Sequence, residues 1–111
     1  MTAADFRDIA LSFPETSEHE HMNHPDFRVR GKVFATLGYP DDSHGMVKLT
    51  PEQQHDLIKS EPDVFAPSKG AWGRSGSTIV QLKAARKTLL RRAMAAAWGN
   101  ISGKTNAAPL K

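Results

Sequence analysis

The chain has no cysteine among its 111 residues. That excludes disulfide cross-links, thiolate metal sites and a cysteine nucleophile. It also lacks any apolar run near the roughly 20 residues that a membrane-spanning helix needs. The first ten residues carry Asp5 and Asp8 where a secretory leader would have a basic start and a greasy stretch. A reducing cytosol is therefore the expected setting, with no membrane partner. Acidic side chains are scarce in one half only. Residues 61–111 hold nine Lys and Arg against two Asp and Glu, whereas residues 1–60 hold six against ten. Such asymmetry permits a basic face for a polyanion, although several of those charges serve equally well to solvate the last helix. The hydrophobic share of 39% and charged share of 24% are those of a globular protein. The length suits a single core.

Periodicity and capping predict the elements in order. A first helix runs over residues 2–13, opened by a Thr2/Asp5 capping box, striped by Phe6, Ile9, Ala10 and Phe13, and stopped by Pro14. Residues 15–50 read as strands. Residues 26–29 and 32–38 flank Arg30-Gly31, a two-residue hairpin turn, and residues 45–49 form the next strand. Thr50-Pro51-Glu52-Gln53 is the sharpest local signal, with an N-cap, a proline at the first helical position and a closing Gln. A short helix follows and ends near Pro62. Residues 64–66 and 77–82 are two more strands, separated by a Gly-rich loop, Lys69-Gly70-Ala71-Trp72-Gly73. The last helix covers about residues 83–101, with Leu90, Ala93, Ala97 and Ile101 on one stripe and Lys87 and Arg91 on a flank.

The order α-β(3)-α-β(2)-α predicts an α+β fold, a two-layer antiparallel sheet with helices on one face. One domain spans residues 1–101, and residues 102–111 are expected to be a frayed tail. A strict two-residue turn would set Phe27 opposite Phe34 and Val29 opposite Lys32. Arg28, Val33, Ala35 and Leu37 would then share the second face, and a slip of one residue would exchange the sets. That reading places an apolar row on the less covered side, beside Arg28 or Lys32 and Lys48.

Five stretches together resemble the MmcQ/YjbR family: His24-Pro25-Asp26-Phe27-Arg28-Val29, Gly31-Lys32-Val33-Phe34-Ala35, Val47-Lys48-Leu49-Thr50-Pro51, Val64-Phe65-Ala66-Pro67 and Gly70-Ala71-Trp72-Gly73-Arg74. They follow the family's order and spacing from about Phe6 to Trp98. The resemblance implies a two-layer antiparallel fold, compared with frataxin-like and secretion-chaperone-like proteins. It also implies a DNA-binding role through a double-wing motif, and it brings no catalytic residues.

The residues themselves nominate a non-catalytic binding surface. Lys69 and Arg74 supply charge around the glycines, whose backbone N–H groups could approach an anion, and Trp72 could stack on a base. The plainer reading makes Trp72 a plug at the edge of the core. Arg28, Lys32 and Lys48 are candidates for phosphate contacts. DNA is thus the expected partner. A protein docked on the open sheet face, or a small anion or ligand at the Trp72 loop, is the alternative. The histidine run from Glu18 to His24 suggests a metal, but it lacks HExxH spacing or a second distant pair, so no metal or other cofactor is expected. The Gly99–Thr105 stretch falls one residue short of a phosphate-binding loop and follows a helix.

Overall fold

Two threonines open helices as the sequence predicts. Thr2 accepts a hydrogen bond from Asp5 N at 3.1 Å, and the Asp5 carboxylate accepts one from Thr2 N at 2.9 Å. Thr50 and Gln53 repeat the exchange at 3.1 and 2.9 Å. Each box satisfies backbone donors that the helix itself leaves unpaired. The computed structural model describes residues 1–103. The caps begin α1 (Ala3–Leu11) and α2 (Pro51–Ser60). The strands are β1 (Thr16–His21), β2 (His24–Val29), β3 (Lys32–Leu37), β4 (His44–Lys48), β5 (Phe65–Pro67) and β6 (Ser77–Gln81). A short α3 (Gly70–Arg74) lies between β5 and β6, and α4 (Lys87–Ser102) closes the fold.

The six strands make one sheet in the order β1-β2-β3-β4-β6-β5, and every neighbouring pair is antiparallel. The two-layer α+β architecture expected from the sequence is the one observed, with β1 and α3 added to it. β1 has no apolar alternation to announce it, since it reads Thr-Ser-Glu-His-Glu-His and is almost wholly exposed. It forms because the chain reverses over Met22 and Asn23, both left-handed at φ 50° and 67°. Arg30 and Gly31 repeat that geometry at φ 55° and 77°. Two successive left-handed residues match the twist of flanking strands and favour a tight hairpin. The charged side chains of β1 also protect an edge that would otherwise invite another strand.

The second hairpin departs from the expected register. Val29 does pair with Lys32 and Arg28 with Val33, but Phe27 then pairs with Ala35, so Phe34 is an extra residue in β3. A bulge of this kind breaks the two-residue alternation. Phe34, Ala35 and Leu37 all join the core, while Val33 and Thr36 face the other side. The apolar row expected from Val33, Ala35 and Leu37 on the bare face is therefore reduced to Val33.

The core lies between the sheet and the helices α1 and α4. Phe6, Phe27, Phe34, Leu90 and Met94 are fully buried there, each worth about 1.5–3 kcal/mol of transfer free energy. α1 comes close because β4 carries Gly45 beneath it. A Cβ at that position would stand 2.5 Å from the Phe6 ring. Trp98 seals one end, its ring 6.1 Å from Phe13 and its Nε1 donating to Pro14 O at 3.0 Å. The basic flank of α4 is engaged with α1: Lys87 lies 3.5 Å from Asp5, and Arg91 donates to Ser12 at 3.1 Å. α4 begins at Lys87 rather than residue 83, because the chain first makes a turn in which Ala84 and Ala85 donate to Gln81 O. At its far end Ser102 is helical and buried, and Gly103 caps the helix at φ 74°. The tail expected from residue 102 thus loses its first residue to α4, and its remainder from residue 104 lies outside the described residues.

Candidate ligand cleft on the bare sheet face

Strand alternation decides which side chains leave the core. In β4 Val47 is buried in the core, so Met46 and Lys48 emerge on the opposite face. They border a cleft of about 230 Å³ with His21, Val33, Thr36 and Trp72, and Ser75 and Ser77 complete its polar side. Trp72 is 66% exposed. The plainer expectation, a tryptophan plugged into the core, falls to Trp98, the other indole in the chain.

α3 carries Trp72 into position. The segment expected to be a Gly-rich loop instead turns once as a helix, because Gly73 lets the chain pass directly over Ser68. A Cβ on Gly73 would lie 1.7 Å from Ser68 O. Gln54 on α2 clamps the same point, its amide nitrogen donating to Gly73 O and Ser77 O at 3.0 Å and reaching Thr78 Oγ1 at 3.1 Å. A buried contact between the hydroxyls of Ser68 and Ser77, at 3.0 Å, fastens the base of the turn. The exposed indole therefore stands on a constrained support.

Beside the cleft lies a buried carboxylate. Asp26 is fully enclosed and accepts from Arg28 Nε at 2.8 Å and Arg28 Nη2 at 3.2 Å, while His21 Nδ1 sits 2.5 Å away. The Arg28 hydrogen bond holds the Asp26 carboxyl below its usual range, the bond to His21 adds to this, and burial opposes both. The same pairing raises the Arg28 guanidinium. Across the β2–β3 ladder Asp26 is opposite Thr36. Thr36 Oγ1 is buried and, among the described residues, is the one such side-chain polar atom without a hydrogen-bond partner in the protein.

The six residues expected from the sequence are only partly gathered. Lys48 and Trp72 line the same cleft. Lys69 and Arg74 bracket Trp72 at the two ends of α3 and are exposed, but neither borders the cleft. Arg28 shares the bare face yet is occupied with Asp26. Lys32 separates from the group, because it pairs with Val29, whose side chain is in the core, and so emerges on the helix side. The histidine run is not gathered around an ion either. His21 is turned to Asp26 and His19 to Ser17 at 2.9 Å, and no group of three or more His, Asp or Glu among the described residues is disposed to hold a metal.

A family profile for YjbR matches residues 11–100. The chain belongs to the YjbR family. Its fold is similar to the crystal structure of Deinococcus radiodurans protein DR2400, described as the family domain DUF419, with a TM-score of 0.75 at 19% identity. The likeness covers 95% of this chain and 83% of that one. No curated protein matches the chain.

Two residues that line this YjbR domain's cleft, His21 and Thr36, and the neighbouring Asp26 were not expected to act together. His21 stood only in the histidine run and Asp26 only in a family stretch, and their juxtaposition with Thr36 depends on a hairpin that no apolar pattern marks and on a bulge. The partial signal was Asp26 itself, an acidic residue inside a strand whose neighbours Phe27 and Val29 are core. Among the described residues no helix is long and apolar enough to cross a membrane.

Proposed function

We propose that this YjbR domain is a non-catalytic DNA-binding module whose contact surface is the bare sheet face. The observation that carries the reading is Trp72, two-thirds exposed at the border of a concavity that also holds Lys48. An indole stacks on any base, and an ammonium beside it meets the phosphate. Lys48, Lys69 and Arg74 make no ion pair among the described residues, which leaves them available to a polyanion. Arg28, bound to Asp26, and Lys32, on the other side, contribute less than their sequence positions suggested. A protein partner on the sheet face has weaker support, since the bulge removes Ala35 and Leu37 from that face.

The test is anisotropy of short labelled DNA, single- and double-stranded, across a salt series. About three phosphate contacts give a slope of log affinity on log salt near −2 for a single strand. Stacking is worth about 1–3 kcal/mol per base, so Trp72→Ala should weaken binding roughly fivefold to a hundredfold. Absence of binding at low salt, or a Trp72→Ala variant that binds like the parent, overturns the proposal.

A further inference from the structure

We infer that the cleft seats one unstacked nucleotide, its base lying on Trp72 with one edge hydrogen-bonded to Thr36 Oγ1, and its phosphate beside Lys48. The inference deepens the DNA-binding reading and rests on it for the choice of ligand. Three observations converge. The first is the unpartnered hydroxyl: Thr36 is 2% exposed, lines the cleft, and leaves Oγ1 without a partner in the protein. Buried polar groups are rarely left so, and one carried by a cleft-lining residue points to a partner supplied from outside. The second is size. Drug-sized ligands occupy pockets of about 300–1,000 Å³, so a cleft of about 230 Å³ suits a single ring system with its substituents. The third is lining chemistry. Val33 and Met46 give an apolar wall, Trp72 an aromatic one and Lys48 a cation. Base-extruding proteins hold their nucleotide in the same way, between apolar or aromatic side chains with polar groups at the ring's edge.

A paired base in a duplex shows neither its face nor its pairing edge, so the cleft selects an unpaired nucleotide. That nucleotide is either free or part of a single strand, and the experiment separates the two. Calorimetry with nucleoside 5′-monophosphates probes the free form, a labelled single strand and its duplex probe the polymer, and inorganic phosphate serves as the anion control. Saturable binding of at least one monophosphate, single strand preferred over duplex, and inorganic phosphate failing to compete are the expected results. A single strand that binds with base preference while the monophosphates do not also supports the inference, with the strand as source. Thr36→Val removes the hydroxyl and should weaken nucleotide binding about threefold to tenfold. Its melting temperature should hold or rise, because the buried orphan is gone, so lost affinity cannot be lost folding. The inference falls if Thr36→Val binds like the parent, or if inorganic phosphate displaces the nucleotide as well as another nucleotide does. If DNA still binds with its salt dependence in that case, only the seat in the cleft is wrong. If no DNA binds at all, the wider reading fails with it.

Discussion

At the scale of the residue, Asp26 links stability to the face that carries the cleft. It is enclosed, and its charge is met by Arg28 and His21. Asp26→Asn removes the negative partner and leaves Arg28 unpaired. Removing one partner of a buried pair is strongly destabilising, and because Arg28 remains 30% exposed to water a smaller but clear loss of stability is expected in a denaturant melt. The pH dependence follows from the direction of the shift. Asp26 holds its proton less tightly folded than unfolded, so its contribution is complete above about pH 4, the unfolded carboxylate value, and fades as acid approaches the folded one. The variant should therefore lose stability less steeply than the parent below pH 4; parallel acid curves would contradict this. Little of it was legible in the sequence beyond an acidic residue set among core neighbours. An Asp two residues before an Arg on a strand is an ordinary surface pattern, and only the three-dimensional fold buries the first and turns the second onto it.

At the scale of the element, legibility followed local physics. Capping boxes and apolar stripes act within one turn, so α1 and α2 were readable to within two residues. β1 was legible only as part of a strand-forming stretch and without bounds, because its stability comes from pairing with β2 and from a turn whose first residue, Met22, is not one that favours left-handed backbone. α3 reads as a Gly-rich loop in the sequence for a similar reason: its glycines serve a close packing that composition alone does not show. Gly73→Ala should expose the difference. Its Cβ cannot coexist with Ser68 O, so α3 must shift, at a cost of about 1–3 kcal/mol. Both the melting temperature and the affinity for single-stranded DNA should fall together. A variant that melts and binds like the parent would show that α3 is not the fixed support described above. The placement of Lys48 and Trp72 in one cleft was partly readable from the alternation of β4 and the charge around the glycines. The withdrawal of Lys32 was implicit in the expected pairing with Val29, whereas the loss of the apolar row was not, since a single bulge at Phe34 decides it.

At the scale of the whole molecule, the sheet divides labour between its faces. One side carries the core against α1 and α4, and the other carries the cleft. Gly45→Ala acts on the first alone, by forcing a methyl group toward the Phe6 ring. Overpacking of about 1–3 kcal/mol corresponds to a fall in Tm of roughly 5–15 °C for a domain of this size. DNA affinity at low temperature should be unchanged, and a parallel loss of binding would mean that the two faces are coupled. The chain's two tryptophans are sorted by the same division, Trp72 in solvent at the cleft and Trp98 sealed behind Phe13. Their emission should differ in colour and in access to a soluble quencher such as acrylamide. The red, quenchable component then reports occupancy while the blue, shielded one reports the integrity of the core, so a single spectrum recorded during a titration tells a protein that has captured something from one that has come apart.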